Sequence, residues 1–167
     1  MRRAAFAAWV LVALPAAGCG PVQKTAPIPK FGLEGSLSVM MELRYDVAHV
    51  DVTADDLAIR FAKKQGEGED TVLKVTASIS DLELVANGTI DLAEATPAGA
   101  QRGVISRDVL DDPRRVFPKL VRGRVILTRV PEPGGQNVNG DLSITFENGT
   151  EFASGRTVFG KFEADVL

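Results

Sequence analysis

The sequence predicts an all-β body: an antiparallel β-sandwich of about eight short strands, with a small β-barrel as the alternative. Three observations carry this. Apolar side chains recur at every second position in several runs, Gly, Pro and Asn-Gly signals separate those runs, and no long stretch has helical spacing.

Taken in chain order, Leu37, Val39, Met41, Leu43, Tyr45 and Val47 alternate with mostly polar residues, the pattern of a strand with one buried face. The phase then flips, with Ala48, Val50 and Val52 apolar, so a bulge or tight bend is expected near Ala48. Leu57, Ile59 and Phe61 form the next strand, and Gln65–Asp70 is a turn. Val72–Ala77 and Leu82–Ala86 continue the pattern. Asn87-Gly88 and Asn148-Gly149 read as two-residue hairpin turns, because both residue types tolerate positive φ. On that reading Gly149→Val is strained and Gly134→Val much less so. Ser106–Asp112 could form one helical turn ending before Pro113. The last third is a meander, Leu120–Val130, Asp141–Phe146 and Thr150–Val166, with Gly155 and Gly160 marking bends or close backbone approach in the final strand.

Composition narrows the chemistry. The chain of 167 residues holds one His and one Cys, too few for an internal disulfide or the usual zinc ligand sets. Its 19 Lys and Arg against 22 Asp and Glu make it mildly acidic, which disfavours nucleic acid as a partner.

The first residues have the layout of a secretory leader. Arg2 and Arg3 precede eleven uncharged apolar residues, Ala4–Leu14, a run too short to span a bilayer. Pro15 breaks the helix ahead of Ala16-Ala17-Gly18-Cys19. This arrangement resembles the lipobox of bacterial lipoproteins, although Ala16 stands where that family most often has Leu. The resemblance covers only about twenty residues and says nothing of the body. It implies a signal peptide over residues 1–18, cleavage before Cys19, and acylation (palmitate or a similar chain) of the Cys19 thiol and of the new amino terminus. Two acyl chains suffice for stable attachment. Gly20, in place of Asp, is similar to lipoproteins sorted to the outer membrane of a diderm cell. The alternative is an ordinary leader cleavage that leaves Cys19 a free extracytoplasmic thiol.

Residues 19–32 contain Pro21, Pro27 and Pro29 and read as a flexible, lipid-anchored tether, reaching roughly 40 Å if extended. Residues 33–167 are then a single β-domain of ordinary length.

No catalytic or metal site is expected, and no cofactor. His49, the one imidazole, sits beside Asp51 as a surface strand residue, and neither a nucleophile elbow nor a phosphate loop is present. Three acidic loops, at Asp55-Asp56, at Glu67, Glu69 and Asp70, and at Asp108, Asp111 and Asp112, would permit calcium only if two of them share one end of the body. The sharpest charge feature is basic. Arg114, Arg115, Lys119, Arg122, Arg124 and Arg129 fall between Pro113 and Pro131 with no anion among them. They would contact an anionic partner, or else pair across strands with Asp141, Glu147, Glu151 and Glu163. The expected function is therefore a membrane-anchored, non-enzymatic envelope lipoprotein. Its body would bind or scaffold an envelope protein, polysaccharide or anionic lipid headgroup. The alternatives are a lipid-anchored carboxylate-dependent hydrolase and a calcium-dependent adhesion or lipid-binding module.

Overall fold

The computed structural model describes residues 32–167; the leader, Cys19 and all of the tether before Gly32 lie outside the described residues. The described chain is all-β, as the sequence predicts. Nine strands form one sheet: β1 (Val47–Val52), β2 (Asp56–Gln65), β3 (Gly68–Ser78), β4 (Thr89–Asp91), β5 (Gly103–Val109), β6 (Asp112–Val116), β7 (Leu120–Leu127), β8 (Val138–Phe146) and β9 (Thr157–Val166). Their spatial order is β4-β7-β8-β9-β1-β2-β3-β5-β6. Every pairing is antiparallel except β1 with β9, so the sheet is mixed and curls into a half-barrel.

The alternation explains the curl. Val138, Gly140, Leu142, Ile144 and Phe146 of β8 are buried and the residues between them are not; one face of every strand but β6, which has no buried residue, turns to a shared interior. There Phe61 packs edge-on against Tyr45 and Phe162, at 5.0 and 5.3 Å between ring centroids, and Phe117 stacks on Phe146 at 5.2 Å. Every member of the core cluster falls between Leu33 and Val166.

The margins of the sheet meet at Leu92. Its N–H donates to the Gly123 carbonyl of β7, and its own carbonyl accepts from the Gly103 N–H of β5, both at 2.8 Å. Gly103 and Gly123 are required here, because a Cβ at either would lie 2.5 or 2.8 Å from the Leu92 Cβ. The Gln101 side chain extends the seam by donating to the Leu120 carbonyl and accepting from the Leu120 N–H, both at 2.8 Å.

Local readings differ from the structure in four places. Ser36–Val39 is a 3-10 turn, not the start of a strand. Leu37 is fully buried and Val39 is 80% exposed, whereas one strand face would have buried both. The phase flip is real: Tyr45 and Ala48, three residues apart, are both buried. Asn87-Gly88 is a turn but not a hairpin, since residues 82–86 form no strand. Asn87 has φ 59° and the Gly88 N–H closes on the Val85 carbonyl. Asn148-Gly149 opens a longer connection between β8 and β9, in which positive φ falls at Ala153 (70°) and Gly155 (68°). Ser106–Asp112 is no helical turn; β5 and β6 form a hairpin with Val109 opposite Asp112. Gly103, Ile105 and Arg107 of β5 are buried and the residues between them are not, so packing on β3 decides the conformation. The meander of β7, β8 and β9 stands, with shorter strands than the sequence pattern suggests. Gly160 makes the close approach expected of it, because a Cβ there would lie 3.3 Å from the Gly32 carbonyl oxygen.

Candidate functional site

The six cations of the basic segment are distributed over four places. Arg114 and Arg115 lie on β6. Arg115 donates to Asp112 at 2.8 Å and its guanidinium sits 4.4 Å from the centre of the Phe152 ring. Arg114 reaches only 4.0 Å from Asp108, with both side chains mostly in solvent, and such a pair contributes little. Arg129, past the end of β7, donates to the Gln136 side chain at 2.6 Å. Lys119 is exposed ahead of β7.

Arg122 and Arg124 form the remaining group, exposed on the outer face of β7. Their cross-strand neighbours are Thr145 and Ser143 of β8, and no carboxylate of the described residues lies within 4.0 Å of either. Pairing with Asp141, Glu147, Glu151 or Glu163 is thus not what the structure holds. Asp91 of β4 stands opposite Arg124, but its carboxylate accepts from the Ala93 N–H at 2.9 Å. A register shift between Leu120 and Arg122 leaves Val121 57% exposed beside the arginines, as a bulge re-aims side chains.

Two rows of side chains cross this face. One runs Asp91, Arg124, Ser143, Phe159 and Glu34; the other runs Arg122, Thr145 and Thr157. Phe159 is 45% exposed. An open groove of about 430 Å³ runs along Arg122, Arg124 and Ser143. Two guanidinium forks, hydroxyls and an exposed ring suit an anionic ligand with some apolar character.

Two of the three acidic loops share an end. The Asp70 carboxylate, beside the β2–β3 turn, accepts from the Leu110 N–H in the β5–β6 turn at 3.2 Å, whereas Asp56 pairs with Ser78 at the far end of β2. Between the first two lies a cleft of about 300 Å³ lined by Glu42, Arg44, Lys63, Asp70, Arg107 and Asp112, among others. Its carboxylates are largely engaged, Glu42 with Lys63 at 3.0 Å and Asp112 with both Arg115 and Arg107. The hydrogen bond from Arg115 holds the Asp112 carboxyl below the ordinary range, which suits a fixed anion and not a general acid. Among the described residues no three His, Cys, Asp or Glu side chains gather closely enough to hold a metal ion.

His49 is not freely exposed on its strand. Its Nε2 lies 3.3 Å from Glu69, which also accepts from Arg60 at 3.0 Å. Two buried arginines escaped the sequence reading. Arg102 donates to Asp81 and to the Ser78 carbonyl. Arg107 donates to the carbonyls of Glu42 and Val72 at 3.1 and 3.0 Å. Arg107 is in phase with Ile105 in the alternation of β5, and that was the available signal; Arg102 precedes the strand and carried none.

Neither a family model, nor a curated protein, nor a solved structure matches the chain.

Proposed function

We propose that the protein is a membrane-anchored, non-enzymatic lipoprotein of the cell envelope. Cys19 is the lipid attachment point, and the β body binds or scaffolds an anionic envelope component through the outer face of β7, β8 and β9. The anchor rests on the lipobox resemblance. The binding role rests on one observation: Arg122 and Arg124 stand exposed on one strand face, with Thr145 and Ser143 as neighbours and no carboxylate within 4.0 Å among the described residues. Residues 1–31 contain no Asp or Glu that could neutralise them. Two unpaired arginines side by side repel one another, and an incoming anion removes that repulsion.

The hydrolase alternative draws less support, because two carboxylates of the polar cleft, Glu42 and Asp112, are engaged with Lys63, Arg107 and Arg115, and Asp70 accepts from the Leu110 N–H.

Metabolic labelling with palmitate tests the anchor on the full chain. Wild type should carry label in the membrane fraction and Cys19→Ser should not; equal labelling rejects the lipobox. Retention on an immobilised polyanion tests the face. Arg122→Gln with Arg124→Gln should elute at clearly lower salt than wild type, and unchanged elution rejects the assignment.

A further inference from the structure

We infer that the anionic partner of this face is the bilayer surface itself, so that the outer side of β7, β8 and β9 lies against the membrane that holds the chain. The inference rests on the proposed anchor for its geometry.

The described chain begins in the sheet at the margin of this face. Gly32 and Leu33 pack beside Gly160 of β9, and Glu34 exchanges both backbone hydrogen bonds with Phe159 at 2.8 and 2.9 Å. Phe159 belongs to the same cross-strand row as Ser143 and Arg124, so the tether leaves the body at the end of the row that holds Arg124, three strand spacings or roughly 14 Å away. Tethered there by roughly a dozen residues, the body meets the bilayer with this side first.

The chemistry of the surface agrees with that placement. Apolar groups are exposed along this side: Val121 at 57% beside the arginines and Phe159 at 45% two strands away, with Val39 at 80% and Met40 at 44% on the turn that follows Glu34. Ser36, at the head of that turn, is hydrogen-bonded to Thr157 of the second row. Scattered apolar side chains interleaved with cations suit the headgroup layer, where rings and aliphatic tips dip in and guanidinium groups stay at the phosphates. The tether adds Lys24 and Lys30 and no anion, and each such cation near an anionic leaflet strengthens attachment about fivefold. The face also carries anions: Asp91 and Glu34 end the row of Arg124, Asp141 and Lys161 stand opposite each other in the next row and offset one another, and Glu163 and Asp165 are exposed farther along β9, so the contact is made by the end of the face that holds the arginines.

The chain's one tryptophan, Trp9, lies in the leader, so a chain starting at Gly20 is free of tryptophan and of lipid while keeping every core residue. In that chain Phe159→Trp places a single fluorophore on the face. Vesicles of phosphatidylcholine with phosphatidylglycerol should shift its emission to the blue in a salt-sensitive manner; phosphatidylcholine alone should not. Arg122→Gln with Arg124→Gln should weaken vesicle binding roughly thirtyfold with an unchanged circular dichroism spectrum. No shift on anionic vesicles at low salt overturns the inference. So does binding of an acidic polysaccharide in preference to the vesicles, which would make the partner a glycan. Because this chain lacks Cys19, failure here leaves the anchor standing, and failed palmitate labelling leaves this result standing.

Discussion

Arg102 and Asp81 are joined by two near-parallel hydrogen bonds, at 2.6 and 2.8 Å, which pin the loop after β3 to the start of β5. Arg102 is 3% exposed and also donates to the Ser78 carbonyl at 2.8 Å. Residues 80–88 form no strand, so this ion pair and the packing of Leu82 and Leu84 on the core hold the loop. Arg102→Ala should cost about 2–3 kcal/mol, since it leaves a buried gap and an unpaired carbonyl. A denaturant midpoint equal to wild type would contradict this.

The same pair sets an acid limit. The hydrogen bond from Arg102 holds the Asp81 carboxyl below its ordinary value, with smaller contributions from a backbone hydrogen bond and from the Arg102 charge. A carboxyl depressed in the folded state stabilises above its unfolded pKa, and that stability is lost as pH falls from there through the folded value. Thermal midpoints of wild type should therefore fall below about pH 4, and Asp81→Asn should flatten that limb. Parallel curves for the two proteins would remove Asp81 from the account.

Tyr45, the single tyrosine, gives an alkaline counterpart. Burial pushes its phenol from 10.0 up to about 12. A raised folded pKa stabilises fully below the unfolded value and is lost as pH rises from about 10 toward 12. Phenolate absorbance should appear near pH 12 in the folded protein and near 10 in denaturant. A single midpoint near 10 under both conditions would mean that Tyr45 is not in the core.

Backbone strain between β8 and β9 lies at Ala153 and Gly155, not at Asn148-Gly149. Ala153→Gly should stabilise by about 1 kcal/mol, because glycine adopts positive φ freely. Gly155→Val should cost about 1–3 kcal/mol, while Gly149→Val, with no positive φ, should change little. In the β7–β8 connection Gly134 has φ 68°, so Gly134→Val should now cost more than Gly149→Val. Denaturant midpoints of these four variants rank them, and a larger loss at Gly149 than at Gly155 would contradict the loop geometry.

What was legible follows from what is local. Alternation in Val72–Ala77 and Leu142–Phe146 depends only on neighbours two apart, and both runs are strands. Asn-Gly marks a tolerance for positive φ without saying how far apart the flanking strands begin, so the sequence reads Asn148 as a hairpin tip where the structure has a longer connection. Leu37, Val39 and Met41 keep a strand-like period, yet Gly35 at φ 122° turns the chain before them. The seam at Leu92 joins residues from three distant segments, and no short-range pattern encodes it. The basic segment was visible as a cluster in sequence. Its division into the paired Arg115 and the unpaired Arg122 and Arg124 depends on which strands flank β7, and that is a property of topology.

The seam is itself testable. Gly103→Ala and Gly123→Ala should each cost about 1–3 kcal/mol by crowding Leu92. Gly68→Ala, whose Cβ would meet nothing closer than 3.7 Å, should be near neutral. Equal effects at all three positions would mean the margins are not joined there.

The most direct measurement of the central claim is the mass of the N-terminal peptide of the protein recovered from membranes. The account predicts a peptide beginning at Cys19 and heavier by at least two acyl chains. A peptide carrying an unmodified Cys19 thiol, or one that begins elsewhere, would contradict it.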